Sequence, residues 1–477
     1  MRVRRTHTKN ARTAEVAKMK RHAASSSTSL ALVLLSLGAM ACALVAAGCI
    51  DGGGGTTPTT QGAGAPAQAQ LVISQETRSA AEATPGELRA LVTGNTAFAL
   101  DLLRTITKPD GPATNRNLVV SPYSISLALA MTYAGARGAT SQEMAKVLHF
   151  TLPPERLHAA FNALDQTIAS RSRDFPATTE GEQTARVELN VVNQLWTQRD
   201  FAFLPAFLDL LATDYGAGLR VLDFVQDAEA ARQTINGWVA DATKDRVKDL
   251  LPAGSVDAKT RLVLTNAVYL KAPWATAFEK ALTADGDFRL QDGTTVTVPF
   301  MHQSETLGYA AGDGWQALEL PYRGNELRMV VLVPDSPDLD SFAKDLDAAA
   351  LERILSSVEQ KTVNLALPKF GARSELALKD ALAALGMQTA FSDEADFSGM
   401  TGRPDLAIDS VFHNGFVSVD EAGTEAAAAT AVVMRETAAP IDIRTVVVDR
   451  PFLWLIRDGE TGAVLFMGQV VDPRVGA

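Results

Sequence analysis

The residues best suited to act on another molecule form the segment 421–431, EAGTEAAAATA, whose chemistry would be a change of shape. It holds six Ala, two Thr and one Gly, and no large apolar side chain. Alanine favours a helix, yet the flanking runs near Phe416 and Val446 are rich in residues that favour strands. A segment that suits helix, loop and strand about equally can change between them. The alternative is an alanine-rich surface helix.

An extended conformation would give this segment two different faces, because alternate side chains of a strand point opposite ways. One face would carry only small side chains, at Thr424, Ala426, Ala428 and Thr430. The other would carry Gly423, Glu425, Ala427 and Ala429, and we expect its only charge, Glu425, to stay in water. A small inward face could enter a packed sheet without the roughly 1–3 kcal/mol that overpacking costs.

The motifs of common enzymes are missing from the chain. It contains no Gly-x-Ser-x-Gly elbow, no His-Glu-x-x-His pair and no P-loop. Its two cysteines, Cys42 and Cys49, both precede the main body, which therefore has no disulfide, thiolate nucleophile or cysteine-bound metal. We expect a protein that is not an enzyme and that needs neither a metal nor another cofactor.

Three blocks in the right order resemble the serpins, the serine protease inhibitor family. The alanine-rich segment resembles the hinge of the serpin reactive-centre loop. Residues 449–457 (DRPFLWLIR) and 465–473 (LFMGQVVDP) resemble the two strands that close the fold, and residues 117–124 (NLVVSPYS) resemble an early serpin motif. The resemblance runs from about residue 93 to residue 473.

The resemblance implies an α+β fold with three β-sheets, eight or nine helices and an exposed reactive-centre loop at 421–450. The order of the elements agrees, since helical patterns come early, strands come late and no strand–helix–strand repeat occurs. Among the predicted elements are a helix at 228–251, a strand at 261–270, and a capping box formed by Thr140 and Glu143 ahead of another helix.

Several site residues carry over from the resemblance. Four match the shutter, a buried hydrogen-bond cluster beneath the region where the serpin sheet opens: Ser121, Ser124, Asn266 and His413. Trp274 matches a tryptophan at the breach, the top of the sheet, and Glu421 matches the acidic anchor of the hinge. Pro451 and Phe452 match the pair that closes the loop. A buried His or Asn needs hydrogen-bond partners in any case.

The expected bait bond is Thr437–Ala438, because the seventeenth residue counted from Glu421 is Thr437. Counting back eleven from Pro451 gives Pro440 instead, which indicates a loop about three residues longer than usual. We rely on the hinge count, since the hinge side sets the length that inserts. Thr437 suits an elastase- or subtilisin-like enzyme. Arg435, the alternative, suits a trypsin-like enzyme.

Residues 1–49 have the pattern of a bacterial export signal, with basic residues before residue 22 and an apolar stretch at 30–47. The small residues before Cys49 resemble a lipobox, whose cysteine becomes lipidated, although Ala46 stands where a larger aliphatic residue is usual. A simply cleaved signal and a membrane-spanning anchor are alternatives. Residues 50–86, rich in Gly, Thr, Ala and Pro, predict a flexible tether, and residues 87–477 predict the serpin domain.

Charge and the hinge sequence define the expected partners. The formal net charge is −11. Residues 1–49 hold eight basic residues and one acidic residue, so residues 50–477 carry a net charge of −18, which argues against nucleic acid as a partner. We expect a monomer, exported and lipid-anchored to a membrane through Cys49, whose partner is a serine protease. Such a loop also carries a risk of loop–sheet polymers. The alternative is a non-inhibitory serpin, but the small inward hinge face favours inhibition.

Overall fold

The structure is a computed structural model that describes residues 69–176, 184–425 and 442–475. This part of the chain contains two short 3-10 helices, Lys280–Leu282 and Thr389–Phe391. Its α-helices are α1 (Pro85–Thr107), α2 (Pro122–Tyr133), α3 (Gly138–Val147), α4 (Pro154–Ala169), α5 (Pro205–Tyr215), α6 (Phe224–Ala242), α7 (Leu339–Asp345), α8 (Ala348–Ser356), α9 (Lys379–Leu385) and α10 (Ser398–Thr401). None of the helices within these residues is long and apolar enough to cross a membrane.

Strands fill much of the rest of the described chain. In order they are β1 (Gln70–Val72), β2 (Leu118–Val120), β3 (Arg173–Phe175), β4 (Ala185–Gln198), β5 (Leu219–Leu222), β6 (Leu262–Pro273), β7 (Ala284–Arg289), β8 (Thr295–Gly312), β9 (Trp315–Pro321), β10 (Leu327–Pro334), β11 (Glu359–Pro368), β12 (Phe370–Ala377), β13 (Ser410–Asp420), β14 (Gly423–Thr424), β15 (Ile443–Val447), β16 (Phe452–Asp458) and β17 (Val464–Val470). This mixture of helices and strands confirms the α+β class.

The strands pair into two sheets. The main sheet has the order β1-β5-β4-β6-β14-β13-β12, with β3 paired to β4. The second has the order β15-β11-β8-β9-β10-β16-β17-β2, with β7 paired to β8. We expected three sheets, and the described residues form two. The reason is that the 18-residue β8 pairs with β7, β9 and β11 and so joins two groups of strands into one sheet.

The expected count of eight or nine helices also needs correction, because the described residues contain ten. Three of the ten, α7, α9 and α10, have seven residues or fewer. Helices this short carry too little periodic pattern to be separated from turns in a sequence. The additional helix therefore reflects short helical turns between strands.

Helix α2 lies inside the molecule and determines how the main sheet is supported. Every one of its residues is buried, which explains why its sequence is apolar or small on all sides. It packs against β4 and β6 of the main sheet and against β17 of the second sheet. Ser121 caps its N-terminus by accepting a hydrogen bond from the backbone N–H of Ser124. The two serines of the predicted shutter are therefore fixed by the start of this helix.

Two local predictions about helices are wrong. The helix predicted at 228–251 ends at Ala242, because Lys244 and Asp245 adopt left-handed backbone angles that no α-helix can contain. The predicted capping box does not form. Arg137 is the N-cap residue of α3, and Glu143 instead accepts hydrogen bonds from the backbone N–H groups of Gln388 and Thr389.

The predicted tether also ends earlier than residue 86. Strand β1 pairs with β5 at the edge of the main sheet, and Arg78 forms an ion pair of 2.7 Å with Asp165 of α4. We call residues 69–84 the N-terminal strap. Edge strands expose unpaired N–H and C=O groups that another strand can satisfy, so pairing overrides a composition that favours flexibility. Residues 50–68 lie outside the described residues.

Candidate functional site

The hinge is already part of the main sheet. Strand β14 lies between β6 and β13 and is antiparallel to both, with Thr424 opposite Ala272 on one side and Val419 on the other. A Cβ atom at Gly423 would stand 2.2 Å from the carbonyl oxygen of Ala272, so only glycine allows this approach. The first residue of each predicted hinge face, Gly423 and Thr424, therefore already occupies a strand position.

Thr424 is fully buried beneath an aromatic pair. Its hydroxyl shares a hydrogen bond of 2.7 Å with the hydroxyl of Tyr322. The ring of Tyr322 stacks on Trp274, with 4.6 Å between the ring centroids and 6° between the planes. The indole N–H of Trp274 donates to the carbonyl oxygen of Asp420. Trp274 thus lies at the hinge end of the main sheet.

Glu421 anchors the start of the hinge. Its buried carboxylate accepts a hydrogen bond of 2.8 Å from Thr283 and forms an ion pair of 2.6 Å with Lys369. Burial alone would raise the pKa of Glu421, but the bonds from Lys369 and Thr283 outweigh it and hold the pKa below its ordinary value. Glu421 is therefore ionised and held in place at neutral pH.

The four predicted shutter residues meet in one cluster. Asn266 of β6 is at its centre, opposite His413 of β13 in the strand register, and its side-chain carbonyl contacts His413 Nδ1. Its amide group donates to Ser124 Oγ and to Asn193 of β4. The backbone N–H of Ser121 donates to His413 Nε2 over 3.2 Å. The cluster therefore links α2 to three neighbouring strands.

His413 is neutral, and its proton lies on Nδ1. The ring is fully buried, and burial lowers the pKa of His413 to about 3. Because Nε2 accepts from the backbone N–H of Ser121, the single ring proton must be on Nδ1, which donates to Asn266. A second proton would remove the acceptor that Ser121 needs. The shutter is thus held by hydrogen bonds between uncharged groups.

Glu425 does not remain in water as expected from its outward position. Its side chain is only 7% exposed, and burial raises the pKa of Glu425 against the opposing effects of Tyr269 and Arg246. The sequence could not show this burial, because it depends on where strand β14 ends. The backbone of Glu425 has a left-handed φ of 48°, and β14 ends one residue earlier, at Thr424.

Below the hinge, β6 and β13 pair directly with each other. Their parallel ladder runs through six residue pairs, from Ser410 opposite Val263 to Gly415 opposite Val268. Between this ladder and the hinge, residues 269–271 of β6 and 416–418 of β13 are not paired with each other. The main sheet is therefore closed by a single ladder, and the shutter lies within it.

The remaining predicted site residues fall into two groups. Pro451 and Phe452 are buried at the start of β16 in the second sheet, where Phe452 packs edge-to-face on Phe370 with 5.4 Å between the centroids. The others lie outside the described residues: Cys49, Ala426, Ala428, Thr430, Arg435, Thr437 and Ala438. The described residues contain no group of three or more His, Cys, Asp or Glu side chains that could hold a metal ion.

The family of the chain follows from a family model described as "Serpin (serine protease inhibitor)", which matches residues 93–473. The chain belongs to the serpin family. The serpin is 37% identical over 395 residues to an uncharacterized serpin-like protein of Thermococcus kodakarensis, a match that covers 82% of this chain and 88% of that protein. It is 36% identical over 396 residues to the leukocyte elastase inhibitor of Homo sapiens, covering 81% and 100%.

Solved structures agree with the family. The thermophilic serpin tengpin in the native state matches with a TM-score of 0.73 at 27% identity, covering 85% of this chain and 100% of that one. Human thyroxine-binding globulin complexed with thyroxine matches with a TM-score of 0.70 at 29% identity, covering 81% and 99%. The predicted serpin fold is confirmed. Serpins as a family are protease inhibitors rather than enzymes, and the relatives also include thyroxine-binding globulin and ovalbumin.

Proposed function

We propose that this serpin inhibits a serine protease by trapping it as a covalent acyl-enzyme while the cleaved loop enters the main sheet between β6 and β13. The observation that carries the proposal is the position of β14. Gly423 and Thr424 already pair with both neighbours, so the entry point and the direction of the incoming strand are set before any bond is cut.

Strand directions favour insertion. Strands β6 and β13 are parallel to each other, while β14 is antiparallel to both. A loop that continued from β14 would replace one parallel ladder with two antiparallel ladders, and antiparallel pairing is slightly more stable per residue. Each additional backbone hydrogen bond contributes about 0.5–1.5 kcal/mol. The closed sheet therefore has a more stable arrangement available to it.

The covalent step belongs to the protease. Its serine oxygen attacks the carbonyl carbon of Thr437 and forms an ester, the Thr437–Ala438 C–N bond breaks, and the amine of Ala438 leaves with a proton. Hydrolysis of the ester needs an intact oxyanion hole. Insertion of about fourteen residues would carry the attached protease on the order of 45 Å. We infer that this displacement distorts the protease active site and preserves the ester.

The shutter suits a sheet that must open. An inserted strand would separate Asn266 from His413, which now face each other across the β6–β13 ladder. Both side chains are uncharged, and a neutral hydrogen bond contributes only about 0.5–1.5 kcal/mol net. Opening the sheet at the shutter would therefore break neutral hydrogen bonds of moderate strength and would not separate buried charges.

The proposal also names the class of protease and the location of the protein. Thr437 is small, which favours an elastase- or subtilisin-like protease, and relatives are named leukocyte elastase inhibitors. Arg435 would instead favour a trypsin-like enzyme. Export and attachment to a membrane through a lipid on Cys49 would place the inhibitor at the cell envelope.

The deciding experiment incubates the serpin with a panel of serine proteases and examines the products by SDS gel electrophoresis and mass spectrometry. An SDS-resistant complex and a new N-terminus at Ala438 are expected. A new terminus at Glu436 would assign the bait bond to Arg435. Cleavage without a complex, or no reaction with any protease, would favour the alternative of a non-inhibitory binding or structural serpin. As a matched pair, Thr424→Arg should turn inhibitor into substrate, and Thr424→Ser should keep the complex.

A further inference from the structure

The next residue to enter the sheet after Thr424 is Glu425, and its present conformation opposes entry. Its backbone N–H still donates to the carbonyl oxygen of Ser418 on β13, at 2.9 Å. Its φ of 48°, however, is left-handed, a conformation that non-glycine residues adopt only with strain. Strand β14 therefore ends at Thr424, and Glu425 must change its backbone angles before it can extend the strand.

The side chain of Glu425 is held by groups on the neighbouring elements. Tyr269 on β6 lies beside its carboxylate and opposes the rise of its pKa, and Arg246, just after α6, approaches Oε2 at 3.7 Å. The Arg246 guanidinium also lies over the Tyr269 ring, 5.7 Å from its centroid. We call this set, Glu425 with Tyr269 and Arg246, the Glu425 contact.

The register of the sheet shows where Glu425 would go. Thr424 lies opposite Ala272 on β6, so continued antiparallel pairing would place Glu425 opposite Lys271. Oppositely charged residues that face each other across antiparallel strands stabilise the pair. On insertion, Glu425 would give up its strained backbone conformation and its buried position beside Tyr269. It would become extended and lie beside Lys271.

We propose that the Glu425 contact is the positioning element that holds the native hinge at two inserted residues, and that release of Glu425 toward Lys271 is the first step of insertion. This inference rests on the proposed function and names the residue that controls its rate. Tyr269 and Arg246 stabilise Glu425 in the native hinge, whereas Lys271 would stabilise it in the inserted strand.

The proposal gives a definite dependence on pH. The groups facing Glu425 are Tyr269 and Lys271 of β6, Arg246 after α6, Arg373 of β12 and, beyond Tyr269, Glu188 of β4 with its partner Lys244. Burial raises the pKa of Glu425 in the native hinge, whereas the inserted position beside Lys271 favours the carboxylate. Acid therefore stabilises the native hinge relative to the inserted one, and release should slow as the pH falls.

The test measures how fast the full, uncleaved chain converts to an inactive, denaturant-resistant monomer at pH 5 and pH 8. Tyr269→Phe removes only the hydroxyl beside the Glu425 carboxylate and should accelerate conversion about tenfold. Glu425→Gln should convert about tenfold more slowly than wild type at pH 8, with equal rates at both pH values, while wild type slows on acidification. Tyr309→Phe and Asp214→Asn, distant from the hinge, serve as matched controls and should behave as wild type.

Asp214 is a suitable control because burial also raises its pKa, yet it lies on α5. Unchanged rates in Tyr269→Phe and Glu425→Gln would overturn the proposal, as would pH dependence that survives in Glu425→Gln. The proposed function is judged separately by the SDS-resistant complex of the wild type. If the wild type forms the complex but Tyr269→Phe and Glu425→Gln convert at the wild-type rate, the role of Glu425 is contradicted. The inhibitory mechanism would still be supported.

Discussion

The shutter and the ion-pair network around Arg171 are both buried and polar, but they differ in charge. The shutter joins Asn266 to a neutral His413 across the β6–β13 ladder, which the proposed insertion would open. The Arg171 side chain, only 6% exposed, binds Asp458 at 2.7 Å as well as Glu326 and Glu460. Separating buried charges costs several kcal/mol, while separating neutral hydrogen bonds costs much less.

In the proposed mechanism, this difference separates the region of the fold that would move from the region that would stay. The Arg171 network ties a residue two positions after α4 to the end of β16 in the second sheet, where the proposed insertion would require no rearrangement. The shutter lies inside the β6–β13 ladder. A sheet that is to open needs contacts of specific geometry that cost little free energy to break. Hydrogen bonds between uncharged side chains meet both needs.

The largest expected effect is from breaking the charged network. Asp458→Ala would leave Arg171 buried without its main partner, and we expect a loss of about 3–5 kcal/mol in the free energy of unfolding. Urea denaturation measures this loss. Glu460→Gln is the matched control, because the Glu460 side chain is 73% exposed, and it should cost less than about 1 kcal/mol. A small loss in Asp458→Ala would remove the basis of the comparison.

A smaller but more specific effect is expected at the shutter. Asn266→Ala removes partners of His413, Ser124 and Asn193, and we expect a loss of about 2–3 kcal/mol together with faster polymer formation on warming. Native gel electrophoresis during heating measures the polymers. Asn364→Ala, which removes only an exposed bond to Ser304, is the control. If Asp458→Ala formed polymers as readily at equal stability, the shutter would have no special part in opening.

Acidification tests the neutral state of the shutter. The pKa of His413 is about 3 in the folded protein and about 6.5 in an unfolded chain. The unfolded chain therefore binds more protons between these values, and stability should fall as the pH drops from 7 to 5, by roughly 2 kcal/mol.

A second histidine allows the effect at the shutter to be separated from general acid sensitivity. His158 is also buried and neutral, bonded to Tyr215 at 2.6 Å, and burial lowers its pKa to about 4. His413→Gln and His158→Gln should each reduce the loss of stability on acidification. We expect only His413→Gln to change the rate of sheet opening as well. Equal opening rates in both variants would contradict this distinction.

The smallest effect is expected at the edge of the main sheet. Arg78→Ala removes the ion pair with Asp165 and a hydrogen bond of 2.8 Å to Asn162, and should lower stability by about 1 kcal/mol, since the pair is partly exposed. Thermal denaturation measures it. Arg444→Ala, whose ion pair with Asp442 is more exposed, should change stability less. No loss in Arg78→Ala would show that the N-terminal strap contributes only its backbone pairing.

The sequence predicted the parts of the site that depend on residue type. The small hinge side chains were identified in this way. The shutter residues Ser121, Ser124, Asn266 and His413 came from the serpin resemblance, and the structure brings these four together. Asn193, Tyr269 and Tyr322 were missed, because their roles arise from strand register and from stacking on Trp274. No local pattern in a sequence fixes which residue of one strand faces which residue of another.

The errors in the fold have similar causes. The tether was extended too far because composition indicates flexibility, whereas β1 is ordered by an edge strand about 150 residues away along the chain. The helix at 228–251 was drawn too long because its amphipathic pattern continues past the left-handed residues Lys244 and Asp245. Tertiary contacts decide such boundaries, and propensity alone does not.

Hydrogen–deuterium exchange before and after cleavage within the loop, combined with thermal denaturation of both forms, tests the central claim most directly. If the loop enters between β6 and β13, the amide groups of residues 426–437 become protected after cleavage and the melting temperature rises sharply. Exchange that stays fast in this segment, with an unchanged melting temperature, would contradict the account.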